Sequence, residues 1–235
     1  MAKKFYAVRA GRKTGIFASW AECNESVNGY SRAEYKSFDN KLDAESFLTN
    51  KPPKPKPSRS TGNYSVELYT DGAAKNNPGL AGAGFCIYKN NELQSAYYGG
   101  FEEQATNNRM ELLAIKHSLI FIKPLIQQGQ STALYSDSEY SVKGITKYSY
   151  KWKLKDFTTK AGEKRPNHEL MKWCHDFYNT HKANLHIEHV RAHQGIEGNE
   201  IADRMSILAI NRAQTDFAQY ENNDISKILN LSSGG

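Results

Sequence analysis

The spacing of apolar and polar residues predicts a sheet flanked by helices in the larger part of the chain. Val66, Leu68 and Thr70 alternate with Glu67 and Tyr69, which is the two-residue period of a strand. Further strands are predicted at 83–88, 93–101, 132–136 and 185–190, and helices at 107–122, 138–147, 167–180 and 197–212. The order βββ-α-β-α-α-β-α predicts an α/β (α+β) fold with a five-stranded mixed sheet between helices.

Residues 1–50 carry a second, smaller pattern. Short strand-like runs lie at 5–8, 16–17 and 35–38. Ser19 and Glu22 have the spacing of a capping box, so we expect a helix to begin there. Asn40 can cap a final helix that contains several apolar residues. The pattern predicts a small three-stranded αβ module.

Two further segments separate and follow these patterns. Residues 51–63 are rich in proline and lysine, which predicts a semi-rigid, extended linker. Residues 213–235 are polar, and we expect a frayed helix and tail without chemistry there. The predicted division is a module at 1–50, a linker at 51–63, a larger domain at 64–212 and a tail at 213–235.

The positive charge of the chain is unevenly distributed. The 235 residues carry a net charge of +6. Residues 1–60 contain 12 Lys/Arg against 6 Asp/Glu, whereas residues 61–235 contain 19 of each kind. A basic arm beside a neutral body predicts docking to a polyanion.

Other features of the composition concern the compartment. The start of the chain has no apolar signal region, and no apolar run reaches the length of a membrane span. Cys23, Cys86 and Cys174 are too few and too scattered for a disulfide framework or a zinc site. We therefore expect a cytoplasmic protein without a membrane partner.

Four acidic residues lie at strand ends or beside apolar residues, where a carboxylate is not expected without a partner. Asp71 and Asp137 end predicted strands, and Glu111 and Asp203 lie in helices beside apolar neighbours. An acid of this kind, taken alone, is more often a surface residue than a metal ligand. Together, however, like charges at one sheet edge need a multivalent cation, and oxygen-only ligands indicate Mg²⁺ with Mn²⁺ as a substitute. A pair of such ions suits phosphodiester hydrolysis.

The larger region contains a series of motifs in fixed order: Tyr69-Thr70-Asp71-Gly72, Asn76-Asn77-Pro78-Gly79, Thr106-Asn107-Asn108-Arg109-Met110-Glu111, Tyr135-Ser136-Asp137-Ser138, and Val190-Arg191-Ala192-His193-Gln194-Gly195 followed by Asn199-Glu200-Ile201-Ala202-Asp203. Together they resemble the catalytic domain of type 1 ribonuclease H over about residues 64–212. The resemblance implies a ribonuclease H-like fold and two-metal hydrolysis of the RNA strand of RNA–DNA hybrids, leaving 3′-hydroxyl and 5′-phosphate ends.

The resemblance also assigns roles by position. The metal ligands that it implies are Asp71, Glu111, Asp137 and Asp203. His193 would assist catalysis in proton transfer or product release, and the intrinsic pKa of a histidine suits proton transfer near neutrality.

The same resemblance implies contacts to the substrate. Asn77, Asn107 and Asn108 would face the minor groove, where amides can bond to the 2′-hydroxyls of RNA. Thr106 would hold a DNA phosphate. Glu139 stands at a groove-contact position where many relatives have glutamine.

The N-terminal module resembles a second domain of the same family. The residues that carry this resemblance are 6–17, Trp20, Cys23, Val27, Tyr35-Lys36 and Phe38. They are similar to the hybrid-binding domain at the N-terminus of many type 1 ribonucleases H. The DNA contacts that it implies are Tyr6, Trp20, Tyr35 and Lys36. The alternative places the aromatic rings in the core of the small module.

A basic stretch lies between residues 143 and 172. It holds nine Lys/Arg against three acids, with tyrosine and tryptophan interleaved. It resembles the basic protrusion with which some family members hold the duplex. The contacts that this implies are Lys151, Trp152, Lys153 and Lys155. The alternative is a solvated helix face with ordinary aromatic packing.

Three functions remain open at this point. The main hypothesis is a monomeric, hybrid-specific endoribonuclease that needs no small-molecule cofactor. The alternatives are a non-catalytic hybrid-binding or duplex-binding protein, and an integrase-like or transposase-like nuclease of the same fold. The complete set of four acids speaks against the first alternative. The Thr106-Asn107-Asn108-Arg109 stretch and the N-terminal module speak against the second.

Overall fold

The computed structural model describes residues 4–30, 33–38, 41–48, 64–192 and 194–234. The chain divides into two compact units, Met1–Pro55 and Lys56–Gly235. The predicted linker and the predicted cap Asn40 lie outside the described residues.

The N-terminal unit is a small sheet with two helices. Its elements are β1 (Phe5–Ala10), β2 (Gly15–Phe17), α1 (Trp20–Val27), β3 (Glu34–Phe38) and α2 (Lys41–Leu48). β1 is central, and both neighbours pair with it antiparallel. The predicted capping box is confirmed, because Ser19 accepts from the amide of Glu22 and the Glu22 side chain accepts from the amide of Ser19. Val8, Cys23 and Val27 form its buried core.

The larger unit is built on one mixed sheet. Its strands are β4 (Val66–Ala74), β5 (Gly79–Lys89), β6 (Glu92–Ala105), β7 (Thr132–Ser136), β8 (Leu185–His189) and β9 (Ala218–Gln219). Their order is β8-β7-β4-β5-β6-β9. β4 is parallel to β7 and antiparallel to β5, and β7 is parallel to β8. The predicted mixed sheet is confirmed, and the two-residue β9 extends its edge beyond the five predicted strands.

Helices cover both faces of this sheet. They are α3 (Asn107–Gln127), α4 (Glu139–Lys143), α5 (Ser149–Lys153), α6 (His168–His181), α7 (Glu197–Asn211) and α8 (Ile225–Leu229), with a π-helical turn Gly144–Tyr148 between α4 and α5. Alternation along β4 explains the two layers. Leu68 packs among residues of α3 and α6, whereas Tyr69 packs among residues of α7 and α8. None of the helices in the described ranges combines the length and apolarity that a membrane span needs.

The approach of α7 to the sheet depends on a small residue in β5. A Cβ atom built on Gly84 would lie 2.4 Å from the amide nitrogen of Ser206 and 2.5 Å from the carbonyl oxygen of Ala202. Any larger residue would therefore push α7 outward. Because Asp203 and Ser206 belong to this helix, the contact also sets their distance from the sheet edge.

The predicted C-terminal tail is packed rather than frayed. Its segments β9 and α8 lie against the larger unit, and Tyr220 and Ile228 are buried. Asp224 caps α8 by accepting from two of its amides. The polar composition of the segment did not predict this packing, because burial of a few apolar side chains is enough to hold a short segment in place.

Candidate active site

Three acidic side chains meet where adjacent strands reach the same edge of the sheet. Thr70 of β4 lies opposite Ser136 of β7 in the parallel register, so Asp71 and Asp137 are the next residues on neighbouring chains. β4 continues to Ala74, so Asp71 does not end its strand as predicted. The juxtaposition holds nevertheless, because β7 ends at Ser136 and Asp137 turns away beside Asp71.

Glu111 completes the cluster from the helix that crosses β4. It lies in the second turn of α3 and is buried. Carboxylate oxygens of Asp71, Glu111 and Asp137 all lie within 4.8 Å of one another. Gly72 permits this approach, because a Cβ atom there would lie only 2.2 Å from the amide nitrogen of Glu111. We call these three side chains the carboxylate cluster.

Each member of the carboxylate cluster has a neutral hydrogen-bond donor. The hydroxyl of Ser206 donates to Oδ2 of Asp71 over 2.6 Å, and that of Ser136 donates to Oε2 of Glu111 over 3.4 Å. Nδ2 of Asn199 donates to Oδ2 of Asp137 over 3.2 Å. These bonds orient the carboxylates but bring no positive charge, so the mutual repulsion of the cluster is left for a cation to balance.

Burial makes the ionised form of the cluster costly. Burial, followed by the charge of Asp137, raises the pKa of Asp71 to about 7. Burial and the charges of Asp71 and Asp137 raise the pKa of Glu111 well above its usual range. Oxygen-only donors at this spacing fit a hard divalent ion such as Mg²⁺ or Mn²⁺, which would favour the ionised form of all three.

The raised pKa of Asp71 predicts how the metal-free protein responds to pH. The unfolded group ionises near its ordinary pKa of 3.8, whereas the folded group holds its proton until about pH 7. The folded state therefore binds more protons in this window, and its stability falls as pH rises through it. A shift of this size corresponds to a few kcal/mol, at about 1.4 kcal/mol for each pKa unit.

We expect the unfolding midpoint of the protein in a chelator to fall between pH 5 and pH 8, and to fall less in Asp71→Asn. Differential scanning calorimetry measures both slopes. Added Mg²⁺ should restore the midpoint at pH 8, because it binds only the folded state. An equal slope in wild type and variant would show that Asp71 is not held protonated.

Asp203 lies at the same cleft but outside the carboxylate cluster. Its Oδ2 accepts from the guanidinium of Arg204 over 2.7 Å, and Arg204 also binds Glu200 over 2.9 Å. The main-chain amide of Gly234 contacts both of its carboxylate oxygens. The structure thus brings three of the four predicted ligands together. The fourth, Asp203, lies on α7 and lines the same cleft.

The cleft that holds these acids has a volume of about 620 Å³. Its lining comes from β4, α3, α7 and the C-terminal segment, and it includes Asp71, Glu111, Asp137, Asn199, Glu200 and Asp203. An opening of this size beside an acidic floor can admit one strand of a polymer with its phosphate.

The predicted groove amides stand near the mouth of this cleft. Asn107 lines it, and its main-chain amide donates to Oδ1 of Asn77 over 3.2 Å. Asn77, Asn107 and Asn108 are all exposed. Thr106 caps α3 by accepting from the amide of Arg109, which accounts for its conformation without a ligand.

Glu139 begins α4, directly beyond Asp137 and Ser138. Its exposed carboxylate pairs with Lys143 one turn later, and this hydrogen bond and charge lower the pKa of Glu139. An anion at this position cannot donate a hydrogen bond as a glutamine amide can.

The histidines have different environments. His193 lies outside the described residues. A histidine outside the motifs is expected to be solvent-exposed, and this is wrong for His175, which is buried with its Nδ1 2.7 Å from the carbonyl oxygen of Ile145. His189 is exposed as expected, and its Nε2 lies 3.1 Å from the carbonyl oxygen of Asp137. The parallel register of Ser136 with His189 is the signal that could have located it.

The basic stretch after α4 is only partly free to bind a duplex. The predicted single helix at 138–147 is instead divided between α4 and a π-helical turn. Lys151 and Lys155 are exposed, but Lys153 pairs with Asp176 over 2.7 Å. Trp152 is half-buried beneath the guanidinium of Arg165, whose carbon lies 4.6 Å from the ring centroid. For Trp152, ordinary packing is therefore the better description.

The N-terminal unit presents three aromatic rings side by side. Trp20 stands between Tyr6 and Tyr35, with ring centroids 5.8 Å from each. Trp20 is 47% exposed and Tyr35 is 45% exposed, so these two rings are not core residues. Lys36 is exposed on the same strand as Tyr35. We call Tyr6, Trp20 and Tyr35 the ring patch.

Two family models match the chain. One, described as RNase H, matches residues 63–211. The other, described as the Ribonuclease H1 N-terminal domain, matches residues 4–48. The two matches cover the larger unit's sheet and the N-terminal unit separately.

Curated relatives and solved structures agree with these matches. A ribonuclease H of Nitrosomonas eutropha is 38% identical over 144 residues, which are 60% of this chain and 86% of the relative. A ribonuclease H of Pseudomonas putida strain W619 is 41% identical over 143 residues, 60% of this chain and 90% of the relative. The crystal structure of LC9-RNase H1, a type 1 RNase H with the type 2 active-site motif, has a TM-score of 0.56 and 20% identity. It covers 74% of this chain and 90% of that one, and it supports the fold alone.

Proposed function

The chain belongs to the RNase H family, and from this premise we propose that it is an endoribonuclease that hydrolyses the RNA strand of RNA–DNA hybrids. The observation that carries the proposal is the carboxylate cluster, in which three acids converge within 4.8 Å and accept from the neutral side chains of Ser136, Asn199 and Ser206. A non-catalytic binding protein would gain nothing from so costly an arrangement.

We assign the catalytic roles as follows. Asp71, Glu111 and Asp137 would hold two Mg²⁺ ions, and Asp203 of α7 would be a further ligand. The ions, when bound, activate the attacking water and stabilise charge on the leaving oxygen. Ser206, Ser136 and Asn199 keep the carboxylates oriented toward the cleft. In-line attack on phosphorus then leaves 3′-hydroxyl and 5′-phosphate ends.

Selection of the RNA strand follows from groups at the mouth of the cleft. The exposed amides of Asn77, Asn107 and Asn108 can both donate to and accept from 2′-hydroxyls, which DNA lacks. Thr106 would meet a phosphate of the DNA strand, and His193 would assist proton transfer or product release. These assignments rest on the family motifs and on the position of the amides beside the carboxylate cluster.

The ring patch supports a docking role for the N-terminal unit. Exposed aromatic rings bind nucleic acids by stacking on bases or packing on sugars, and the adjacent Lys36 can meet a phosphate. The exposure of two rings at the surface of a module with a small core favours this reading over ordinary packing. Lys151 and Lys155 would supply a second contact from the larger unit.

Removing the ring patch should weaken binding without changing the chemistry. We expect Trp20→Ala with Tyr35→Ala to raise the hybrid dissociation constant about tenfold or more, because each stacking contact contributes about 1–3 kcal/mol. Fluorescence anisotropy in Ca²⁺ measures the affinity, and kcat at saturating hybrid should stay unchanged. Tyr30→Ala is the matched control, since that ring is 42% exposed in the same unit but outside the patch. Equal affinities for wild type and double variant would remove the docking role.

A strand-resolved cleavage assay tests the proposed function. Hybrids labelled on either strand, together with DNA and RNA duplexes, are incubated with Mg²⁺ or with chelator. We expect cleavage of the RNA strand of the hybrid alone, only with divalent metal, and 5′-phosphate on the downstream product. Cleavage of duplex DNA that spared the hybrid would identify an integrase-like nuclease. Binding without cleavage would identify a non-catalytic protein.

We further propose Mg²⁺ as the working ion and removal of RNA from R-loops in the cytoplasm as the setting. The oxygen-only donors of the carboxylate cluster support the choice of ion. The monomeric state expected from the sequence stays a prediction.

A further inference from the structure

A segment distant in sequence from the acids lies in the catalytic cleft. Ser232, Ser233 and Gly234 line the same opening as Asp71 and Asp203. All three residues of this segment follow α8 and were expected to be an inert tail. They are exposed at this lining, so a nucleic-acid strand that filled the cleft would contact them.

The segment makes a specific contact with the fourth acid. The amide of Gly234 lies 3.1 Å from Oδ1 and 3.3 Å from Oδ2 of Asp203. Arg204 occupies Oδ2 from the other side over 2.7 Å. Both carboxylate oxygens of Asp203 therefore already accept hydrogen bonds from Gly234 or Arg204.

The segment is held in place by apolar residues that directly precede it. Ile228 of α8 is fully buried, and Leu231 packs against the same apolar cluster as α7. Only Ser232 and Ser233 separate this anchor from Gly234, so the amide stays at a high local concentration beside Asp203.

The segment approaches the acid closely at Gly234. A Cβ atom built on Gly234 would lie 2.8 Å from Oδ1 of Asp203 and 3.4 Å from Cδ1 of Ile207. Since the first distance is shorter than Cβ atoms tolerate, a larger residue at this position would move the segment and the carboxylate of Asp203 apart.

We propose that residues 232–234 form an autoinhibitory strap that holds Asp203 away from divalent metal and narrows the cleft until substrate displaces it. This inference rests on the proposed function of the same site. The apparent affinity for metal is the intrinsic affinity multiplied by the fraction of molecules in which the strap is open. An occupancy near nine tenths would weaken metal binding about tenfold.

Two variants release the strap without touching the acids. One removes residues 232–235, and the other is Gly234→Val. Each should bind Mn²⁺ about three- to tenfold more tightly by isothermal titration calorimetry, and each should cleave hybrid at a correspondingly lower metal concentration. Ser226→Val is the matched control, because it adds bulk at an exposed position of α8 outside the cleft. It should behave as the wild type does.

A double-variant cycle shows whether the effect passes through Asp203. In an Asp203→Ala background, removal of residues 232–235 should no longer change Mn²⁺ affinity, since the acceptor of the Gly234 amide is absent. Unchanged Mn²⁺ affinity in both strap variants would overturn the proposal, and so would an undiminished effect in the Asp203→Ala background. If no variant cleaves RNA, the proposed function fails, and the calorimetry still decides the strap.

Discussion

The Asp71→Asn protein is expected to bind an RNA–DNA hybrid and to cleave it about 10³-fold more slowly than the wild type, or worse. Asparagine keeps the size of the side chain and can still accept from Ser206, so the fold and the cleft should persist. The substitution removes one negative charge from the carboxylate cluster, and with it the grip on a divalent ion. Metal assistance is worth several kcal/mol, and each 1.36 kcal/mol is a factor of ten in rate.

Single-turnover cleavage and anisotropy together measure this prediction. Asp216→Asn is the matched control, because it makes the same chemical change at an exposed position of the larger unit and should leave the rate unchanged. Cleavage at more than a tenth of the wild-type rate would contradict the role of Asp71. Loss of hybrid binding in a folded variant would also contradict this role, since Asp71 is assigned to the cleavage step and not to binding of the hybrid.

The second large effect is expected from Gly72→Ala. The added methyl carbon would lie 2.2 Å from the amide nitrogen of Glu111 and 2.7 Å from Cβ of Met110, so β4 and α3 must separate. Overpacking of this kind costs about 1–3 kcal/mol of folding stability. Because Asp71 and Glu111 sit on the two separated elements, a shift of about 1 Å should reduce kcat about 10²-fold.

Thermal unfolding and cleavage kinetics test the two halves of this prediction. Gly162→Ala is the control, since an added Cβ there meets no atom within 4 Å and only the positive φ is strained. We expect a small loss of stability in the control and full activity. Full activity in a stable Gly72→Ala protein would show that the spacing of Asp71 and Glu111 is not critical.

Much of the fold followed from local patterns. The alternation over residues 66–70 and the helical spacing over residues 107–122 are both clear, so the type of each element was predictable although its end was not. The convergence of Asp71 with Asp137 was also predictable, because parallel neighbours end at one edge. What alternation could not give was the length of β4, which runs past Asp71 because its antiparallel partner β5 continues.

The parts that escaped prediction depend on contacts between distant residues. The Ser206 hydroxyl that orients Asp71 is 135 positions away in the sequence. The docking of α8 and the approach of Gly234 to Asp203 depend on a few apolar residues in a polar segment. Local sequence patterns do not predict such contacts, because they form only between elements that the folded sheet and α7 bring together.

The exposure of aromatic side chains could also not be predicted from the sequence. Composition could not separate the exposed Trp20 and Tyr35 from the half-buried Trp152. Tyr35 and Trp152 both stand beside basic residues in the sequence, yet Trp152 lies beneath a guanidinium and Tyr35 is exposed. Exposure is a property of the assembled surface, so these alternatives could be weighed only in three dimensions.

The most direct test of the central claim is anomalous diffraction from crystals grown with Mn²⁺ and a non-cleavable hybrid. We expect manganese peaks at the carboxylate cluster, where Asp71, Glu111 and Asp137 would hold the ions. Manganese bound elsewhere, with the carboxylate cluster free of metal beside a bound hybrid, would contradict it.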